Sequence, residues 1–374
     1  MSVAIDVSAV HPRSGGAGTY VHGLIGALPQ AGIEPVLVAR RSDSPSRWPG
    51  AGEFVGVAPS LRPLRLLWEQ TGLVRALRRA APDADVLHSP HYTMPEHLSR
   101  RDRLCLARVV TVHDLTFFTR PQDHQRSKRM LFRRAIAKAA AEADAIVCVS
   151  EATAALLHEH APPRCPVHVI HHGIDHTRFT AAVAANESEI LQRLAVTVPF
   201  ILHVGTIEPR KNVHNLLRAY EIICAQSGSS TPPELVLAGG AWPGAWDALK
   251  VPTVGRVRRL GFVAPDDLPA LLRAAGVVAY PSFEEGFGMP VVEALACGAP
   301  VVTSEATVMA ELAAGAALLT DPRDPASIAA AITSALSGEG PRLEARLGCA
   351  STFTWTACAV AHADVYRSLG AILS

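Results

Sequence analysis

Two adjacent cations mark the first chemically suggestive segment, Gly205-Thr206-Ile207-Glu208-Pro209-Arg210-Lys211-Asn212. Arg offers a planar fork of donors and Lys a compact charge, a pair suited to a diphosphate. Asn212 has the residue type of a helix N-cap, because Val213, Leu216, Leu217 and Tyr220 then fall on one helical face. That reading sets Arg210 and Lys211 beside the free N–H groups of a helix start. The alternative is a solvated basic loop.

A second segment, Glu284-Glu285-Gly286-Phe287-Gly288-Met289-Pro290-Val291-Val292-Glu293, places two carboxylates eight residues apart around a helix start. Pro290 suits the first helical turn and Gly298 the end. A carboxylate accepts two hydrogen bonds and so grips the vicinal hydroxyls of a ribose or hexose. Gly286 and Gly288 would expose N–H groups to the same ligand. The helix dipole alone would also favour Glu293 there. Glu284 is a second acid beside Glu285, and spacing alone favours Glu285 as the one turned inward.

The third segment, Ser14-Gly15-Gly16-Ala17-Gly18-Thr19-Tyr20, follows a strand pattern and opens a helix. Gly15 and Gly16 would let a ligand approach the backbone, and the helix start attracts phosphate. The spacing is not G-x-G-x-x-G, so a nicotinamide-dinucleotide site is not supported. A tight turn is the structural alternative.

The elements that must hold these loops alternate. Strand patterns cover residues 3–9, 34–39, 85–88, 108–112, 145–149 and 167–170 in the first half, with helical patterns at 20–28, 128–143 and from 151. The rhythm weakens over 180–198 and restarts. Strands at 200–204, 234–238, 257–262, 276–280 and 300–303 then alternate with helices at 213–226, 265–275, 290–297, 326–337 and 343–350. Such alternation implies parallel βαβ units. The expected architecture is α/β, two Rossmann-like domains facing across a cleft, with ligands at the carboxyl ends of the strands. The first domain covers residues 1–180 and regains a last helix, 355–374, with Trp355, Val360, Ala361, Val365 and Tyr366 as its apolar face. The second covers 181–354.

Composition narrows the function. The chain has 374 residues, 49% hydrophobic and 18% charged, enough for two packed cores. Lys+Arg is 35 and Asp+Glu 34, a net charge of +1, which argues against a nucleic-acid binder. Seven cysteines without a CxxC pair fit neither a disulfide scaffold nor a Cys-rich zinc site, so a cytoplasmic setting is expected. The start lacks a signal-peptide pattern, and no apolar run is long enough to span a bilayer. Residues 61–79 mix basic and apolar residues, among them Arg62, Arg65, Arg75, Arg78 and Arg79. They are expected to form a helix packed on the first sheet with its arginines in water. Contact with an anionic membrane carrying a lipid acceptor, on the inner face of the cell membrane, is the alternative.

Taken in order, these segments resemble glycosyltransferase family 4. So do His88-Ser89-Pro90-His91-Tyr92, Val112-His113-Asp114-Leu115, Ser150-Glu151 and Gly173-Ile174-Asp175. The match runs over nearly the whole chain. It implies the GT-B fold and retaining transfer of a hexose from a nucleotide diphosphate sugar to a glycan or glycolipid hydroxyl. By resemblance, Gly15, Gly16 and Gly205 would lie at the donor. Arg210 and Lys211 would neutralise its diphosphate and stabilise the departing nucleotide. Glu293 would hold the ribose diol. Glu285, with Gly286, Phe287, Gly288 and Met289, would grip the sugar, and His113 would sit beside sugar and acceptor. The loop form resembles mannosyltransferases, which favours GDP-mannose over UDP- or dTDP-sugars.

The resemblance implies no cofactor and no metal, with Arg210, Lys211 and helix N-termini acting where charge develops. Reaction would occur on one face of the sugar, the leaving phosphate deprotonating the acceptor. No side chain reads as a double-displacement nucleophile. A proline commonly precedes the glutamate at the position of Glu311, and Ala310 stands there instead. A sugar-nucleotide epimerase of the same fold and a non-catalytic nucleotide-sugar binder remain alternatives. A phosphorylase does not fit, since those chains are much longer.

Overall fold

A computed structural model describes residues 1–10, 15–228 and 231–373. The chain divides into two compact units, Met1–Gly173 with Thr354–Ser374, and Ile174–Phe353. The passage from one to the other thus falls at 173/174, ahead of the weak-periodicity stretch expected to hold it.

The first unit carries strands β1 (Ser2–Asp6), β2 (Val36–Arg40), β3 (Glu53–Ala58), β4 (Ala84–Ser89), β5 (Ala107–Val112), β6 (Ala145–Cys148) and β7 (Val167–Val169). They pair in parallel in the order β3-β2-β1-β4-β5-β6-β7. The second carries β8 (Phe200–Val204), β9 (Glu234–Ala238), β10 (Val257–Gly261), β11 (Val277–Tyr280), β12 (Val301–Ser304) and β13 (Leu318–Thr320). Their order is β10-β9-β8-β11-β12-β13, again parallel. Helical crossovers bury the central strands on both faces, which is why β1, β2, β5, β6, β8, β9, β11 and β12 read as runs rich in Val, Ile, Leu and Ala. The order reverses at β1/β4 in one sheet and at β8/β11 in the other. Ligand crevices of open α/β sheets form at such reversals.

The C-terminal helix Trp355–Leu373 completes the first core. Cys358, Ala359, Ala363, Val365, Tyr366 and Leu369 are buried with Val3 and Ile5 of β1 and Leu24 of helix Gly16–Ala27. Val360, expected on the apolar face, is instead 43% exposed, and Trp355 and Ala361 pack at the core's margin. Gly173 lies under this helix: a Cβ there would stand 2.1 Å from the Trp355 backbone nitrogen.

Residues 61–79 correct the expectation. Two helices form, Arg62–Thr71 and Leu73–Ala80. The second behaves as expected, with Leu73 and Leu77 buried and Arg75 and Arg79 in water. The first is turned the other way. Arg65 and Glu69 are its buried residues, while Leu61 at its N-cap, Leu64 and Leu67 are 67%, 52% and 63% exposed. Arg65 points inward because its Nη1 meets Glu69 Oε2 at 2.9 Å, inside the protein.

Candidate active site

The second unit brings Glu208, Arg210, Lys211 and Glu285 together at the β8/β11 reversal. The backbone N–H of Gly205 donates to the Ala238 carbonyl at 2.9 Å, carrying the chain from β8 into the loop. Pro209, Arg210 and Lys211 make one 3-10 turn, which points both cations back over the sheet. Asn212 follows in a left-handed conformation (φ 59°) and does not cap the next helix, Val213–Gln226, with its side chain. Its amide instead donates to the carbonyls of Pro281, at 2.9 Å, and Pro322, at 2.6 Å. Asn212 therefore stands at the expected N-cap position, but its side chain locks the loop after β8 to the loop after β11 instead of capping the helix.

That lock brings the cations onto Glu285. Lys211 Nζ donates to Glu285 Oε1 and to the Tyr280 hydroxyl, each at 2.5 Å. Arg210 Nη1 donates to Glu285 Oε2. Its Nη2 pairs with Glu208 Oε1 at 2.7 Å. The Tyr280 hydroxyl donates to Glu285 Oε1 at 3.0 Å. Burial alone would raise the Glu285 carboxyl, but Lys211 and then Arg210 outweigh it and hold it down at about 2. Burial lowers the Lys211 ammonium although Glu285 pulls the other way, and burial raises the Glu208 carboxyl against Arg210. The sequence suggested cations for phosphate and, separately, carboxylates for hydroxyls. The fold joins Arg210, Lys211 and Glu285 into one charge-compensated network.

Glu293 stands apart from it, in the helix Met289–Ala296. Among the described residues no hydrogen bond reaches its carboxylate. Burial pushes that carboxyl up to about 7, with Arg178 the opposing charge. Gly288 opens the helix at φ 95°, where a Cβ would also press on Met309 Cγ at 3.3 Å. Phe287 and Met289 are buried on either side of it.

Glu208, Tyr280 and His203 belong to this site and were not assigned roles from sequence. His203 is fully buried, its Nδ1 3.0 Å from the Ala279 carbonyl and its ring 5.7 Å from that of Tyr280. Burial holds its imidazole at about 4, so it is neutral at pH 7. A His and a Tyr at the carboxyl ends of apolar strand runs were the available signals.

The first unit holds the other expected residues. Gly15 is the N-cap of helix Gly16–Ala27, and Gly15, Gly16 and Ala17 are exposed at its start. Ser14 lies outside the described residues. One turn into that helix, the buried Tyr20 ring meets the His113 ring edge-on at 5.2 Å. His113 follows β5, its Nε2 3.1 Å from the Pro90 carbonyl. Burial lowers its imidazole, with the Pro90 carbonyl opposing. The glycine loop and His113 therefore lie at the same edge of the first sheet.

A chain of buried polar groups lies beneath them. Tyr20 Oη is 3.0 Å from Thr111 Oγ1 and 2.8 Å from His362 Nε2. His88 Nε2 is 2.8 Å from Thr111 Oγ1, and His88 Nδ1 is 2.7 Å from Tyr366 Oη.

The comparisons with known proteins bear on the whole chain. Residues 14–178 match the model of Glycosyltransferase Family 4, and residues 187–351 that of Glycosyl transferases group 1. The O-antigen chain mannosyltransferase B of Escherichia coli is 30% identical over 331 residues, 83% of this chain and 82% of that protein. The chain belongs to glycosyltransferase family 4. This family 4 chain is also 28% identical over 409 residues to a D-inositol 3-phosphate glycosyltransferase of Salinispora arenicola, covering 98% of this chain and 90% of the relative. In fold it resembles the sucrose-phosphate synthase of Thermosynechococcus elongatus, with TM-score 0.74, 20% identity and 99% of each chain covered. Its two parallel-sheet, Rossmann-like units are those of the GT-B class.

Proposed function

We propose that the protein is a retaining hexosyltransferase that moves mannose from GDP-mannose to a hydroxyl of a glycan or lipid-linked acceptor. The observation that carries the reading is the Arg210–Lys211–Glu285 network at the β8/β11 reversal. Two cations held at one carboxylate are ready to exchange it for an incoming diphosphate. Glu285, released by that exchange, turns to the hydroxyls of the sugar. Glu293, with no hydrogen-bonding partner among the described residues, accepts from the ribose diol. Arg210 and Lys211 then stabilise the charge that grows on the departing phosphate, with no metal at that diphosphate. His113, neutral, lies at the acceptor side. That the Escherichia coli relative is a mannosyltransferase supports mannose.

The exposed leucines of helix Arg62–Thr71 support a peripheral contact with an anionic membrane that presents the acceptor. No described helix is long and apolar enough to cross a membrane.

The test is nucleotide release by the purified chain offered GDP-mannose, UDP-glucose and dTDP-sugars, with and without lipid-linked acceptors. Release fastest from GDP-mannose, and dependent on acceptor, is expected. Lys211→Ala should lower kcat/KM by about 100-fold while the chain stays folded. Sugar interconversion without acceptor, or full activity in Lys211→Ala, would overturn the reading.

A further inference from the structure

The β1/β4 reversal of the first sheet holds a second polar cluster that the donor chemistry leaves unused. Asp6 ends β1, His91 follows β4, and Glu69 reaches in from the inverted helix Arg62–Thr71. Asp6 and Glu69 are 0% and 1% exposed. Each of the three residues has one polar atom anchored. Asp6 Oδ1 accepts from the Ser8 N–H at 2.9 Å. Glu69 Oε2 accepts from Arg65 Nη1 at 2.9 Å and from Thr93 Oγ1 at 3.0 Å. His91 Nδ1 is 3.0 Å from Thr93 Oγ1.

Each also has one polar atom left over. Asp6 Oδ2, Glu69 Oε1 and His91 Nε2 are all buried without a hydrogen-bond partner. One potential ligand atom from each of the three residues lies within 4.8 Å of those of the other two. A point about 2.8 Å or less from all three therefore exists, a distance that small contraction brings to metal–ligand length. The His91 Nε2–Asp6 Oδ2 separation is 3.4 Å, longer than the roughly 2.7–2.9 Å of a charge-assisted hydrogen bond.

We propose that Asp6, Glu69 and His91 form a divalent transition-metal site in the first unit, distinct from the donor site. One imidazole and two carboxylates suit Mn²⁺ or Zn²⁺ better than Mg²⁺, which takes oxygen ligands. Thr93 and Arg65 are its outer partners, orienting His91 and Glu69 as ligand-supporting groups do. The ion ties helix Arg62–Thr71 to the ends of β1 and β4. It also accounts for a helix that buries a glutamate and exposes its leucines.

The test uses the full chain, stripped with a chelator and titrated with Mn²⁺, the free ion followed by electron paramagnetic resonance. Zn²⁺ binding is followed in parallel by calorimetry. One Mn²⁺ per chain is expected, with affinity at least tenfold lower in His91→Gln and Asp6→Asn. Thr93→Val, which leaves all three ligands, should weaken binding by about 10–100-fold. Wild-type protein that takes up neither ion at one per chain overturns the proposal: the cluster is then a self-contained ion-pair group around a buried water. Undiminished binding in folded His91→Gln overturns it equally. Should a ligand variant fail to fold, the wild-type stoichiometry and Thr93→Val decide.

Discussion

Glu293 shows how a single residue can work against the fold that holds it. An ordinary glutamate titrates at 4.5, and burial lifts this one to about 7. A raised carboxyl favours the folded state while protonated. That contribution is present below about pH 4.5 and is lost as pH rises through about 7. At about 1.4 kcal/mol per pH unit, the charged form costs roughly 1–3 kcal/mol at pH 8. Glu293→Gln keeps the shape and never ionises. It should match the wild type in denaturant unfolding near pH 4 and exceed it by that amount at pH 8. The same variant should lose donor affinity, because the amide accepts less strongly than a carboxylate. Equal pH dependence in the two proteins would count against the buried charge. The carboxylate itself was legible, since Glu285-x7-Glu293 around a proline and glycines already suggested hydroxyl recognition. Its lifted pKa was not, because it depends on the protein packed around the carboxyl. Arg210 and Lys211 were legible in the same way. Their capture by Glu285 was not, because it needs the Asn212 amide bridging two proline carbonyls 69 and 110 residues away in sequence.

Helix Arg62–Thr71 carries the clearest disagreement between pattern and structure at the scale of an element. Mixed basic and apolar residues allow two orientations, and a soluble protein ordinarily buries the leucines. Here Glu69 and Arg65 are buried instead, so the outward face is Leu61, Leu64 and Leu67 beside Arg62. Neither propensity nor periodicity could choose, because the groups that hold Arg65 and Glu69 inward come from Thr93 and from residues near position 6. Exposed leucines flanked by cations fit the boundary between acyl chains and anionic head groups. The chain should therefore co-sediment with vesicles containing anionic phospholipid and not with neutral ones. Leu64→Glu with Leu67→Glu should reduce the bound fraction at least tenfold while unfolding stays within about 0.5 kcal/mol of the wild type, as exposed sites allow. Binding indifferent to lipid charge, or to both substitutions, would remove the membrane contact. Strands β3 and β13 were missed for a related reason. β3 is at the sheet edge with partly exposed residues, and β13 has only three, so neither leaves a buried apolar run.

The chain as a whole is organised by its return to the first unit. Residues 174–353 form a complete sheet and core of their own. Residues 1–173 do not: their core is finished by helix Trp355–Leu373. Six buried side chains of that helix pack with β1 and the first helix, and two more links are polar. Tyr366 Oη meets His88 on β4, and His362 Nε2 meets the Tyr20 hydroxyl. Deleting the helix would expose that apolar surface and take one hydrogen bond each from His88 and Tyr20, which keep only Thr111, at about 0.5–1.5 kcal/mol apiece beyond the lost burial. Such losses together rival the entire stability of a domain. Truncation after residue 353 should therefore abolish hydrogen-exchange protection through β1, β4 and β5 while β8, β9 and β11 keep theirs. Tyr366→Phe, which removes one hydroxyl, should lower the stability of the first unit alone by about 1–2 kcal/mol. Uniform loss of protection in both units would mean that they fold as one cooperative body. Protection that survives truncation in the first unit would mean that residues 1–173 have a sufficient core without the returning helix.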